Sequence, residues 1–362
     1  MFYYFTQLRN LFFAFNIFKY ITFRAAMAAV TTFLLCVIFG PFVIRYLKEK
    51  KIQEKAKRED CPGLAQFHNT KEGVPTMGGI FVIGSIIISV LLWADLSNAF
   101  IILTLLTCAY LAALGGVDDY YKLTQKKGHR GLRPRTKLLW QILLGCIIGT
   151  YVITNPLIST KLDVPFLKHV AVDLGILYVP FAALVVIGAS NAVNLTDGLD
   201  GLAIGNVLIV SIALGILCYV TGHSNFSEYL FIPFIQGAGE LAVFCAAIMG
   251  ASLGFLWFNS HPATVFMGDT GSLSLGGTIG IIAIFIKKEL LLLLLGGIFV
   301  VEALSVILQV SSFKLTRKRI FKMSPLHHHF QMCGWNESKI IIRFWIVGII
   351  LALLTLTTLK IR

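Results

Sequence analysis

Ten apolar runs, most of them near twenty residues long, constrain this chain more than any other feature. They cover Ala25–Ile44, Met77–Trp93, Ala99–Val117, Leu138–Ile153, Leu174–Ala189, Leu202–Val220, Leu241–Phe258, Leu273–Ile286, Leu290–Val310 and Ile340–Leu359. About 20 consecutive apolar residues cross a bilayer as a helix. The expected fold is all-α: a polytopic bundle of about ten transmembrane helices, forming a single domain over residues 1–362. Charged residues make up 14% of the chain, where a soluble domain carries about a quarter. The eighth run is the shortest and is rich in Gly. Met1–Tyr20 is rich in Phe and Tyr but lacks the basic start and small-residue site of a cleavable leader. It reads as an interfacial aromatic segment.

Ten spans place both termini on one side. Of the 31 Lys and Arg, 21 then fall in the loops of the opposite side, and 9 on the side of the termini. The positive-inside bias makes the first side cytoplasmic and puts both termini outside the cytoplasm. The net charge of +13 is accounted for by these loops, and no nucleic-acid partner is expected. Seven cysteines form no C-x-x-C pair, and five of them lie in apolar runs, as packing residues do.

The polar motifs were not used in that count, yet they converge on the cytoplasmic side. Asp118-Asp119 ends the third run. Asn191–Gly201, with two Asn, one Thr and two Asp in eleven residues, joins the fifth and sixth. Phe266–Ser272, reading Phe-Met-Gly-Asp-Thr-Gly-Ser, opens the eighth. Pro325–Phe330 carries three consecutive histidines after the ninth, and Lys71 and Pro75–Gly79 precede the second. One cytoplasmic active-site cleft is expected.

Five of the nine aspartates, Asp118, Asp119, Asp197, Asp200 and Asp269, sit in these motifs. Carboxylates gathered at one surface repel one another, and a hard dication relieves the conflict. Oxygen donors without thiols suit Mg²⁺ or Mn²⁺ better than zinc. Each motif also has a plainer reading. Asp118-Asp119 can be a solvated helix end, and Asn191–Gly201 a capped turn. The amides of Gly268–Ser272 can receive a phosphate, or Thr270 or Ser272 can be an ordinary N-cap. His327, His328 and His329 can recognise phosphate or carboxylate with Lys314, Arg317, Lys318, Arg319 and Lys322. Those basic residues fit a lipid-facing cluster equally well. Glu302, inside the ninth run with Gln309 on nearly the same face, is a functional candidate or a structural hydrogen-bonding group.

Together, in this order, Pro75–Gly79, Asp118-Asp119, Asn191–Gly201, Phe266–Ser272 and Pro325–Phe330 resemble the polyprenyl-phosphate N-acetylhexosamine-1-phosphate transferases. The His-His-His-Phe run favours the muramoyl-peptide branch over a sister enzyme using UDP-GlcNAc. The resemblance runs from Phe15 to the C-terminus. Gln331 departs from it, standing where an acid is common. The resemblance implies transfer of phospho-MurNAc-pentapeptide from UDP-MurNAc-pentapeptide to undecaprenyl phosphate, giving lipid I and UMP. It also implies Mg²⁺ and a homodimer in the bacterial inner membrane. By motif match Asp269 is the metal ligand, and Asp118 and Asp119 lie beside the phosphates, with His328 counted among the catalytic groups. Asn194, Asp197, Gly198 and Asp200 contact the nucleotide, and Phe266 stacks on uracil. Lys71, Thr76, Asn259, Gln309, His327 and His329 complete the polar site. The reading from another class is a secondary transporter. Its site belongs near the bilayer midplane on broken helices, whereas these acids are expected in loops at one surface.

Overall fold

The computed structural model describes residues 1–8, 12–50, 52–53, 73–124, 131–164 and 171–361. Two 3₁₀ segments, Phe2–Leu8 and Phe13–Lys19, precede α1 (Ile21–Glu49). There follow α2 (Gly79–Trp93), α3 (Ala99–Thr124), α4 (Pro134–Thr154) and a small antiparallel hairpin, β1 (Lys161–Asp163) with β2 (Ala171–Asp173). Next come α5 (Tyr178–Thr196), α6 (Leu202–Thr221), α7 (Ser224–Tyr229), α8 (Leu241–Asn259) and α9 (Gly268–Phe285). The chain closes with α10 (Glu289–Leu295), α11 (Gly297–Thr316), α12 (Leu326–Met332) and α13 (Glu337–Ile361).

Among the described residues, nine helices are long and apolar enough to cross a membrane, by length and composition. Every expected apolar run is helical. The second is the exception in length: α2 has 15 residues, about 22 Å at 1.5 Å per residue, short of a ~30 Å hydrocarbon core. The ninth run is two helices, α10 and α11, that break at Gly296. Pro134 sits at the first position of α4, where its missing N–H costs no helical bond.

The run with the weakest apolar signal lies at the centre. The apolar window of α9 has mean hydropathy 1.2 and is 89% buried, against 28% for α11. Its composition follows from its neighbours. It packs on α2, α3, α5 and α6, so it needs small residues rather than lipid-facing bulk. A methyl group added at Gly276 would come 2.5 Å from the Ala189 carbonyl oxygen, and one at Gly271 would come 2.9 Å from the Gly79 Cα.

Backbone pairing gathers one end of the bundle. Phe266 N–H donates to the Pro75 carbonyl, while Gly78 and Gly79 donate to Phe266 and Met267, each at 2.8 Å. The starts of α2 and α9 are thereby tied side by side. At the other end Arg24, in the first turn of α1, is 1% exposed. It forms a forked ion pair with Glu240 at 2.6 and 2.5 Å and donates to the Trp93 carbonyl at 3.3 Å. The aromatic N-terminal segment folds over this end, with the Phe2 ring 4.7 Å from that of Trp93.

Candidate active site

Two boundaries differ from the sequence expectation, and both bear on the site. Helix α3 runs to Thr124, beyond Val117, so Asp118 and Asp119 lie within a helix rather than at its end. Helix α9 starts at Gly268 rather than Leu273, so Asp269 stands in its first turn. Asp118, Asp119 and Asp269 are therefore on helices, while Asp197 and Asp200 lie in the turn between α5 and α6. Polar residues end the apolar runs, but the hydrogen-bonding ladder of the helix continues through them.

Asp119 is 5% exposed. Its Oδ1 accepts the Asp269 N–H at 3.2 Å. Its Oδ2 accepts both the N–H and the hydroxyl of Thr270, at 3.0 and 2.9 Å. The first amides of a helix have no partner inside it, and a carboxylate also suits the positive end of the helix dipole. Met267, the residue before α9, makes no side-chain cap; the cap comes from α3. Neither Thr270 nor Ser272 caps its own helix: the Ser272 hydroxyl donates to the Gly268 carbonyl at 2.9 Å. The amides of Asp269 and Thr270 face a carboxylate, not an open phosphate cradle.

Asp118 accepts the Leu132 N–H at 2.6 Å. Two lysines bind it to Asp269. Lys122 Nζ is 3.0 Å from Asp118 Oδ2 and 3.0 Å from Asp269 Oδ1. Lys137 Nζ is 2.5 Å from Asp269 Oδ2 and 3.5 Å from Asp118 Oδ2. Lys122 also approaches Asp119 at 3.6 Å. Sequence reasoning missed both lysines. Lys122 had a legible signal, being one helical turn after Asp118; Lys137 had none beyond its place in the first turn of α4. An ammonium equidistant from two carboxylates marks a position where a cation is held by oxygen alone. That donor set fits Mg²⁺.

The remaining predicted residues fall around this cluster. Gly268 has φ +74°, and a methyl group there would meet Asp119 Oδ2 at 2.7 Å and Thr76 Oγ1 at 3.3 Å, so Thr76 adjoins the cluster. Asn194, near the end of α5, donates to Ser272 Oγ at 2.9 Å, one turn along α9 from Gly268. Asp197 is the C-cap residue of α5. Phe266 is half-buried beside Gly78 through the backbone pairing. Lys71 lies outside the described residues.

The histidines do not share one task. His327 is buried; its N–H donates to Glu302 Oε1 at 3.2 Å, and its Nδ1 stands 3.2 Å from Glu302 Oε2. That last contact lacks hydrogen-bond alignment. A methyl group at Gly198 would come 2.3 Å from His327 Nε2, so this ring packs beneath the Asp197–Gly201 turn. His328 Nδ1 lies 2.7 Å from Gln331 Oε1. His329 Nδ1 accepts the Lys322 N–H at 3.1 Å. Gln309 accepts the N–H groups of Ile320 and Phe321 and donates to the Phe321 carbonyl. Asn259 joins the Gly201 N–H to the Val265 carbonyl. Asp200 accepts the Ala263 N–H at 3.1 Å and meets His261 Nδ1 at the same distance. Glu302, His327, Asn259 and Gln309 thus hold segments of the site in place.

The close approach of α3 and α9 gives a test of this geometry. A methyl group at Gly115 would come 2.3 Å from the Asp269 carbonyl oxygen and 2.5 Å from its carbon. Gly115→Ala is expected to push α9 from α3, costing about 1–3 kcal/mol as overpacking does. Gly116→Ala meets only Thr270 Oγ1, at 3.6 Å, and should be neutral. Thermal unfolding of the two variants in detergent checks this, and equal stability would show that the helices accommodate the added carbon.

The glycosyl transferase family 4 model matches residues 100–287, from the start of α3 to just past α9. Curated relatives match far more. A phospho-N-acetylmuramoyl-pentapeptide-transferase of Geobacter sp. (strain M21) is 53% identical, over 96% of this chain and 96% of the relative. One of Thermodesulfovibrio yellowstonii is 52% identical, again over 96% of each. One of Brachyspira hyodysenteriae is 50% identical over 99% of each. With about half of all residues shared along nearly the full length, and the acidic cluster inside the matched region, the chain belongs to the phospho-N-acetylmuramoyl-pentapeptide-transferase family.

Proposed function

We propose that this chain transfers phospho-MurNAc-pentapeptide from UDP-MurNAc-pentapeptide to undecaprenyl phosphate, releasing UMP and forming lipid I for peptidoglycan. One observation carries the reading: Asp118, Asp119 and Asp269 meet two lysines where α3 and α9 cross. Asp269, with Asp118, would hold Mg²⁺, which when bound neutralises charge on a diphosphate and its departing UMP. Asp119 orients Asp269 by capping its helix. Lys122 and Lys137, beside the same carboxylates, would present positive charge to the phosphates.

The segment Asn194–Asp200 forms the nucleotide side with Phe266 stacked on uracil, and Thr76 borders it; Lys71 is assigned to the donor by motif match alone. His327 and His329 fix the short helix α12, from which His328 faces the donor, supported by Asn259 and Gln309. The acceptor needs no protein nucleophile. The second pKa of a phosphate monoester is near ~6, so at neutral pH it is already mostly a dianion. Asp118 positions it or takes its remaining proton. The excess of Lys and Arg in the loops at the motif end supports a cytoplasmic site with both termini outside; the family resemblance alone suggests a homodimer in the inner membrane.

The test is UMP release in detergent from UDP-MurNAc-pentapeptide with undecaprenyl phosphate, against UDP-GlcNAc as competitor donor. Release from UDP-GlcNAc alone would move the chain to the sister branch. Labelled UMP should not exchange into the donor when all polyprenyl phosphate has been stripped. Robust lipid-free exchange, lost in Asp118→Asn, would make Asp118 a covalent nucleophile instead.

A further inference from the structure

Three distant chain segments meet away from the aspartate and lysine cluster. Asp200 lies in the turn between α5 and α6, His261 two residues past α8, and Glu337 at the first position of α13. His261 Nδ1 is 3.1 Å from Asp200 Oδ2 and 3.9 Å from Glu337 Oε1. One ligating atom from each of the three lies within 4.8 Å of the other two. The two acids form the floor, with side chains 3% and 12% exposed, and the imidazole forms the mouth at 39%.

Both carboxylates are oriented by backbone donors: the Ala263 N–H on Asp200 Oδ2 at 3.1 Å, and the Asp200 N–H on Glu337 Oε1 at 3.0 Å. Outer contacts of this kind fix the ligands of metal centres. A hydrogen bond accounts for the His261–Asp200 pair alone. Glu337 Oε1 approaches the same imidazole nitrogen to 3.9 Å, so two carboxylates flank one ring nitrogen. Metal–ligand bonds of 2.0–2.2 Å at tetrahedral angles place neighbouring ligand atoms about 3.3–3.6 Å apart. The three ligand atoms of this triad are spread over up to 4.8 Å, so an ion would draw them together by about an ångström to reach that spacing.

We propose that Asp200, His261 and Glu337 form a second metal site. One nitrogen and two oxygens suit a borderline dication such as Zn²⁺, Co²⁺ or Mn²⁺, with water completing the shell, whereas the Asp118–Asp269 pair offers oxygen alone. The ion acts as a clasp, pinning the Asp197–Gly201 turn and the segment after α8 onto the start of α13. This assignment does not rest on the transfer reaction.

The test uses the full chain in detergent, stripped of metal and titrated with Co²⁺, read by visible absorption and equilibrium dialysis. Wild type and Asp269→Asn should both bind a Co²⁺ with an imidazole-dependent absorption band and a raised melting temperature, whatever further Co²⁺ the oxygen site of wild type takes up. His261→Gln should lose the band and bind that ion at least tenfold more weakly, with its metal-free melting temperature unchanged. Glu337→Gln should show the same loss and serves if His261→Gln does not fold. Unaltered Co²⁺ binding in the His261 and Glu337 variants would overturn the proposal. So would loss of all binding in Asp269→Asn, which would leave the triad a hydrogen-bonded lock.

Discussion

Asp269→Asn abolishes transfer and leaves the bundle folded. The amide keeps the shape of the side chain, and the Asp269 N–H still meets Asp119, so α9 stays capped. What is lost is the negative charge on which Lys122 and Lys137 converge, and with it the ligand proposed for Mg²⁺. Metal stabilisation of a transferring phosphoryl group amounts to several kcal/mol, and each 1.36 kcal/mol is tenfold in rate. A fall of about a thousandfold or more is expected. It should not be recovered by raising Mg²⁺, since an amide is a poor substitute ligand. Steady-state rates across a Mg²⁺ titration check this, and near-normal activity at ordinary Mg²⁺ removes Asp269 from the metal site.

Glu240→Ala should be the most damaging change at the opposite end of the bundle. Arg24 is almost wholly buried and forks onto Glu240, and its guanidinium lies 4.8 Å from the Tyr3 ring centre. Glu240 also accepts the Asp95 N–H at 3.3 Å. One ion pair therefore joins α1, the α2–α3 turn, the start of α8 and the N-terminal segment. Removing the acid leaves a buried cation without its counter-charge, which costs about 3–5 kcal/mol. Replacing both partners with Met should recover most of that loss, because the penalty lies in the orphaned charge. Thermal unfolding of the single and double variants measures it. If Glu240→Ala unfolds like wild type, Arg24 reaches water by another route.

The apolar runs were legible because a bilayer leaves a helix few alternatives, and each expected run is helical. The errors fell where chemistry interrupts hydrophobicity. Asp118 and Asp119 looked like a helix end, yet α3 continues to Thr124; the helix spends its polar turns on the site. Gly268–Ser272 looked like a loop for a similar reason. Its glycines serve close packing against α2 and α3, and its first amides are capped from another helix. The three acids at the centre were legible as types, since a carboxylate beside an apolar run is costly without a task. Their partners were not. Arg24 with Glu240, Lys137 with Asp269, and Glu302 with His327 are pairs separated by 25 to 216 residues, and composition holds no trace of which charge meets which. Glu302 could be read as structural or functional; it holds the backbone of the histidine helix.

The burial of α9 also bears on how the chain is made. A helix with mean hydropathy 1.2 partitions into lipid less readily than its neighbours. Its stability in the bilayer comes from the helices that enclose it. Four of them, α2, α3, α5 and α6, precede it in the sequence and leave the ribosome first, while α10 follows it. Translation therefore builds most of the socket before the plug: Asp118 and Asp119 wait on α3 until α9 arrives, and the segments carrying Gln309 and the three histidines are added last.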